Sequence, residues 1–189
     1  MIIDLLRHGE TEQGGGLRGS LDDALTEAGW AQLRQAVTAG ERWDRIIASP
    51  LQRCARFAEE MAVAGDLPLH LEPRLQELHF GDWEGRTAAQ LMKTDAEALG
   101  AFWSDPYAFT PPGGERLEDF EARVLAALQY LQEVHGGEHL LLVTHGGVIR
   151  LLLARLRGLP REQLLQVSVA HAQRVRIALD ASGRWQELA

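Results

Sequence analysis

Two segments of the chain end an apolar run with a histidine and a glycine: Arg7-His8-Gly9 after Met1 to Leu6, and Thr144-His145-Gly146-Gly147 after His139 to Val143. A neutral imidazole nitrogen can attack phosphorus and hold the phosphoryl group covalently, which makes His8 the candidate nucleophile. That role needs one ring nitrogen free while a hydrogen bond on the other fixes the tautomer. Guanidinium forks match phosphate oxygens in pairs and keep their charge, so Arg7 and Arg53 are candidate clamps. His145 is placed to donate to an equatorial oxygen as charge spreads over the phosphoryl group. An alkoxide leaving group also needs a proton donor, and later a base for water. Glu77, Asp82 and Glu84 all lie in Leu75 to Gly85, and spacing alone does not choose among them. A carboxylic acid whose pKa burial raises would suit that role.

Each residue has a plainer reading. A histidine at a strand end is often a satisfied structural group, an isolated arginine usually a surface ion pair, and an acid in a charged loop usually solvated. The doubled strand-His-Gly plan weighs against the first. Against the second stands Ser49-Pro50-Leu51-Gln52-Arg53, where a cation opens a helix. Helix N-termini favour anions, so a cation there points to an anionic partner nearby.

The elements that must position these groups follow from periodicity. Short apolar runs read as buried strands at residues 2–6, 45–49, 67–71 and 139–144. Residues 173–179 alternate Val175, Ile177 and Leu179 and read as an edge strand. Thr26 is a candidate N-cap for a helix bearing Trp30, Leu33 and Val37. Pro50 suits the first turn of a helix through Cys54, Phe57, Ala58 and Met61. Further helices are expected over 86–103, over 115–134 with Leu117, Phe120, Val124, Leu128 and Leu131 on one face, and over 147–156. Residues 12–20, with Gly14, Gly15, Gly16 and Gly19, form a loop able to fold over a ligand. Strands alternating with helices predict an α/β fold around a mostly parallel sheet, with ligands at the carboxyl ends of its strands. Trp30, Trp43 and Trp103 are expected in the core, and His70, His79, His135 and His171 in structural or surface roles.

At 189 residues the chain fits one domain, 1–189, with residues 74–115 as a cap-like insertion over the sheet edge. A net charge of -8 argues against nucleic acid or an anionic membrane as partner. It also means that Arg7, Arg53, His8 and His145 would gather against the average field. Cys54 is the only cysteine, so no internal disulfide forms. No basic segment followed by an apolar one opens the chain, and no apolar run nears the ~18 residues of a membrane span. A cytoplasmic location is the expectation. No metal or cofactor is expected: His135 and His139 are separated by a Gly-Gly turn rather than a helix, and Cys54 has no partner cysteine.

The motifs, taken in order, resemble the histidine phosphatase superfamily, also called phosphoglycerate mutase-like. They are Leu6-Arg7-His8-Gly9-Glu10-Thr11, Leu25-Thr26 with Gly29, Ser49-Pro50-Leu51-Gln52-Arg53, Glu77 with Phe80-Gly81-Asp82-Trp83-Glu84-Gly85, Pro112-Gly113-Gly114-Glu115, and Thr144-His145-Gly146-Gly147. The resemblance implies a three-layer α/β/α sandwich and a metal-independent phosphomonoester hydrolase acting through phospho-His8. It implies Glu77 as proton donor, over Asp82 and Glu84, and Arg7, Arg53 and His145 as the phosphate pocket. Two positions depart from the family pattern: Gly14 stands where many members carry Asn, and Phe57 where many carry Thr. Backbone N–H groups of the Gly-rich loop around Gly14, with Arg18 and Gly146, are the substitutes expected around the substrate. Cofactor-dependent phosphoglycerate mutases are similar but longer around the cap. A less enclosed phosphohistidine is open to water, which favours hydrolysis. Within the phosphatases, Ser49 to Cys54 with Phe57-Ala58, and Gly16-Leu17-Arg18-Gly19, look like the α-ribazole 5′-phosphate phosphatases of cobalamin synthesis. Trp83, Phe102, Trp103 and Tyr107 are candidates to stack on a flat base. The competing readings are a mutase that returns the phosphoryl group to its substrate, and a non-catalytic binder of a phosphorylated small molecule. Oligomeric state is left open.

Overall fold

The computed structural model describes residues 1–37, 40–180 and 183–188. Its strands are β1 (Ile2–Arg7), β2 (Arg45–Ala48), β3 (Leu69–Leu71), β4 (His139–Thr144), β5 (Arg174–Leu179) and β6 (Trp185–Leu188). Its α-helices are α1 (Glu27–Ala36), α2 (Gln52–Gly65), α3 (Ala88–Thr94), α4 (Ala96–Ser104), α5 (Leu117–His135) and α6 (Gly146–Leu156). The strands form one sheet in the order β3-β2-β4-β1-β5-β6. Pairings among β1 to β4 are parallel, while β5 runs antiparallel to β1 and to β6.

Successive side chains of a strand point to opposite faces, and the two cores divide by that rule. Ile3, Leu5, Leu140 and Leu142 face α5, α6 and the segment carrying α3 and α4. Leu6, Leu141 and Val143 face α1 and α2, through Leu33, Phe57 and Ala58. The result is helices on both faces of a mostly parallel sheet, as the sequence implied.

The chain after β1 runs to α1 on one face, and the chain after β4 runs to α6 on the other. The gap between these neighbouring strands is therefore a topological switch point, where open α/β sheets bind ligands. Arg7 sits opposite Thr144 in the register, and the His8 N–H donates to the Thr144 carbonyl at 3.0 Å. Both His-Gly motifs thus leave the sheet at one place.

Local chemistry sets the entries to α1 and α3. Thr26 caps α1, its hydroxyl accepting from the Gly29 N–H at 2.9 Å. Gly29 is required by close approach: a Cβ there would run into the Glu10 backbone, and one on Gly9 into Gly29. Thr87 and Gln90 form a reciprocal capping box at α3.

Four expectations need correction. Residues 174–179 are not an edge strand, because the short, half-exposed β6 pairs outside them. The helix expected over 86–103 is two, divided at Asp95, which ends α3 and begins α4. Pro50 lies before α2 rather than in its first turn, since Leu51 is the N-cap. Trp103 is 49% exposed instead of buried.

Candidate active site

His8 follows β1 directly and is buried, with Nδ1 2.8 Å from the Gly9 carbonyl. A carbonyl only accepts, so Nδ1 carries the proton and Nε2 keeps its lone pair. Burial first, then the charge of Arg53, pushes the imidazole down to about 3. The ring is therefore neutral at physiological pH, in the tautomer a nucleophile needs.

Arg7 places Nη1 on the Val169 carbonyl at 2.6 Å. Its Nε is buried beside Gly146 and, among the described residues, has no hydrogen-bond partner. Buried donors are almost always paired, so an orphaned guanidinium N–H marks a position for an acceptor. The cavity at this point measures about 360 Å³. Arg7, His8, Gly14, Arg18, Glu77, Gly146, Arg150 and His171 are among the residues that line it.

Glu77 reaches the cavity from the loop after β3. Its two oxygens accept from the N–H groups of Leu78, at 3.0 Å, and of Gly147, at 2.9 Å. Each oxygen keeps acceptor capacity, so the group can still carry a proton. The loop itself is gripped from α5: Arg123 donates to the carbonyls of Arg74, Gln76 and Glu77 and pairs with Glu115. That gives Pro112-Gly113-Gly114-Glu115 a structural reason. Of the three loop acids, Glu77 alone lines the cavity. Glu84 holds the N–H groups of Ser20, Leu21 and Phe80, and Asp82 is exposed.

Arg53 and His145 lie directly behind His8. Both are fully buried, and neither lines the cavity. Arg53 donates to the carbonyls of Leu21 at 2.6 Å and Gly19 at 3.0 Å, and its Nε to His145 Nδ1 at 3.3 Å. Because Nδ1 accepts, Nε2 of His145 bears the proton and donates to Ser49 Oγ at 2.7 Å. The His145 ring packs edge-on against His8, centroids 5.3 Å apart. Burial, then Arg53, holds this imidazole well below its ordinary pKa. The pair forms an inner layer that supports His8 and the 18–21 loop. Arg18 is likewise engaged, with Asp23 at 2.7 Å and with the Gly14 carbonyl. Burial pushes the Cys54 thiol beside His145 up to about 12, so it stays protonated.

His171 was expected to be structural or superficial; it stands in the cavity wall, its ring 5.8 Å from that of His8. A second cavity, of about 400 Å³, adjoins the first and shares Leu17, Glu77, Phe80, Gly147 and Arg150 with it. Its remaining wall is largely apolar, including Phe102, Trp103 and Phe120. Trp83 is buried, stacked on Phe109, and does not reach it. Tyr107 lines a separate small cavity, under Arg161. Only two of the four aromatic candidates therefore face the space beside the phosphate position. Among the described residues no three His, Cys, Asp or Glu side chains gather as a metal site would require, and no helix is long and apolar enough to cross a membrane.

Comparison with known proteins shows what the chain resembles as a whole. The model of the histidine phosphatase superfamily (branch 1) matches residues 3–188. The adenosylcobalamin/alpha-ribazole phosphatase of Salmonella typhimurium is 36% identical over 168 residues, covering 87% of this chain and 83% of that protein. A glucosyl-3-phosphoglycerate phosphatase of Mycolicibacterium vanbaalenii is 36% identical over 172 residues, covering 82% and 74%. The crystal structure of a putative alpha-ribazole-5′-P phosphatase of Escherichia coli K-12 superposes with a TM-score of 0.87 at 31% identity, covering 100% of this chain and 94% of that one.

Proposed function

The chain belongs to the histidine phosphatase superfamily and is a phosphatase; we propose that it works through a phosphohistidine on His8 and that its substrate is α-ribazole 5′-phosphate. One observation carries the mechanism: a neutral His8 whose Nδ1 is held by the Gly9 carbonyl, and an Arg7 whose Nε has no partner among the described residues, both lining a cavity that Glu77 also lines. The Nε2 lone pair attacks phosphorus as the bond to the ester oxygen breaks, and Glu77 gives that oxygen its proton. Water then attacks the phosphohistidine, Glu77 takes a proton from it, and phosphate leaves with His8 neutral again. Arg7 neutralises the equatorial oxygens. Arg53 and His145 act from beneath, by charge and by packing on His8.

Two lines support the substrate. The names of the Salmonella and Escherichia coli relatives carry it. The apolar cavity also suits a flat, uncharged base at the far end of a phosphomonoester, with Phe102 and Trp103 as its stacking faces. In this reading residues 74–115 form the cap that closes over the base. A glucosyl-3-phosphoglycerate would instead place sugar hydroxyls and a carboxylate against that wall, where, among the described residues, Arg150 is the one charged side chain other than Glu77.

The test is phosphate release in chelator-containing buffer from α-ribazole 5′-phosphate, 3-phosphoglycerate, glucosyl-3-phosphoglycerate and a nucleoside monophosphate, with His8→Ala as control. Preference for the first, an acid-labile phosphoenzyme during turnover, and loss of both in His8→Ala are expected. Full activity of His8→Ala overturns the mechanism. Phosphoryl transfer to an isomeric position without free phosphate favours the mutase. Preference for glucosyl-3-phosphoglycerate overturns the substrate.

A further inference from the structure

The turn between Val169 and β5 is built more tightly than a connection needs. Ala172 lies in the left-handed region at φ 52°, uncommon for a residue with a Cβ, which costs about 1–2 kcal/mol. Four hydrogen bonds hold it there. The Ala172 N–H donates to the His8 carbonyl at 3.2 Å and the Arg7 N–H to the Gln173 carbonyl at 3.0 Å. The Gln173 N–H donates to the Ala170 carbonyl at 3.2 Å, and the Ala170 N–H to Gln173 Oε1 at 2.7 Å. The residue this turn presents to the cavity is His171, tied through the backbone to both Arg7 and His8.

The rest of the wall makes that placement consequential. Gly14, Gly15 and Gly16 face the cavity without side chains, and Arg18 is spent on Asp23 and loop carbonyls. Among the described residues neither ring nitrogen of His171 has a hydrogen-bond partner.

We propose that His171 is a further phosphate ligand of this site, taking up a proton from solvent as a tetrahedral dianion enters and donating the resulting N–H to one of its oxygens. The inference rests on the reading of this cavity as the phosphate site. The groups around the ring set the direction. His8, Arg7 and Glu10 face it from β1 and the loop that follows, and Arg150 and Glu77 from across the cavity. Burial, then Arg7, holds the His171 pKa below its ordinary value, with Glu10 opposing. In the free enzyme the ring is neutral at physiological pH. A bound dianion reverses the local field, and by linkage proton and dianion bind more tightly together. His8 stays neutral through this range at about 3, so its titration does not overlap.

Sulfate is the probe, because it is a tetrahedral dianion at every pH used. Ring-proton NMR of the intact protein from pH 5 to 9, with and without saturating sulfate, follows the His171 titration, assigned by its loss in His171→Gln. Sulfate affinity is measured calorimetrically at the two ends of the range in both proteins. The expected result is an upward shift of the His171 pKa of about one unit on binding, and sulfate about tenfold tighter at pH 5 than at pH 9. His171→Gln, a substitution at an exposed position, should lose that pH dependence. Binding of sulfate with an unmoved His171 titration, or the same pH dependence in His171→Gln, overturns the inference and leaves the phosphate site standing. No sulfate binding at any pH removes the phosphate site and the inference with it.

Discussion

Gly147→Ala separates activity from stability. A Cβ on Gly147 would lie inside contact distance of Glu77 Oε1, and 3.0 Å from the carboxyl carbon. Gly147 is in the first turn of α6, where alanine fits the backbone and is favoured by up to about 1 kcal/mol. The flexible carboxylate therefore yields rather than the helix, and it loses the N–H groups of Leu78 and Gly147 that aim it. General acid–base groups contribute about 10²–10⁴ in rate. Misplacing rather than deleting the acid should lower kcat/KM by about 10²–10³, or about 3–4 kcal/mol. Unfolding free energy should change by no more than about 1 kcal/mol, because Glu77, Leu78 and Gly147 line the open cavity, where the freed groups can be solvated. The assay is steady-state hydrolysis beside urea melts of wild type, Gly147→Ala, Glu77→Ala and the double variant. If the two residues act as one unit, the double variant is no slower than Glu77→Ala by more than about threefold. Retention of a tenth or more of wild-type activity by Gly147→Ala, or multiplying losses in the double variant, refutes the assignment of Glu77.

Three further outcomes follow from the same geometry. His8 and His145 are held neutral when folded, His8 down to about 3; unfolded they protonate near 6.5, so stability falls as pH drops below that value. Each contributes about 1.4 kcal/mol of loss by pH 5.5, and urea midpoints that do not move between pH 7.5 and 5.5 would contradict both shifts. Asp4 is fully buried. Burial raises its pKa, but hydrogen bonds from Arg176 and Trp43 and the charge of Arg176 prevail and lower it. Its contribution is thus present above the ordinary carboxylate range and lost as pH falls through the folded value. Asp4→Asn should cost about 1.5–3 kcal/mol at neutral pH and flatten the loss below pH 4, which acid titration of the two proteins by circular dichroism measures. Trp103→Ala should raise KM for α-ribazole 5′-phosphate about tenfold with little effect on a small phosphomonoester. Equal effects on both in steady-state kinetics would remove Trp103 from the base pocket.

What the sequence made legible, and what it did not, follows from where each signal is stored. β1 and β4 are buried on both faces, so their runs are apolar, interrupted in β1 only by Asp4, and easy to read. β6 has four residues, none buried, so it carries no pattern, and without it β5 passes for an edge. The break at Asp95 was legible in principle, because aspartate favours helix caps, but the surrounding alanines mask it.

The site divides along the same line. Arg7, His8 and Glu77 belong to motifs whose backbone also sets their direction, and they line the cavity as those motifs suggest. Arg53 was placed correctly at a helix start, yet spacing carries no information about which acceptors its five N–H groups find. The acceptors are the carbonyls of Gly19 and Leu21, the Asp23 carboxylate and His145 Nδ1, which only the fold brings together. With Arg53 occupied there, His145 Nδ1 must accept, and its Nε2 is committed to Ser49. Together these contacts hold Arg53 and His145 in the layer behind His8. His171 is the converse case. Its environment depends on Ala172, whose left-handed backbone is fixed by the carbonyl of His8, far away in sequence. Alanine gives no hint of that conformation, so only the folded chain shows that a third imidazole stands at the site.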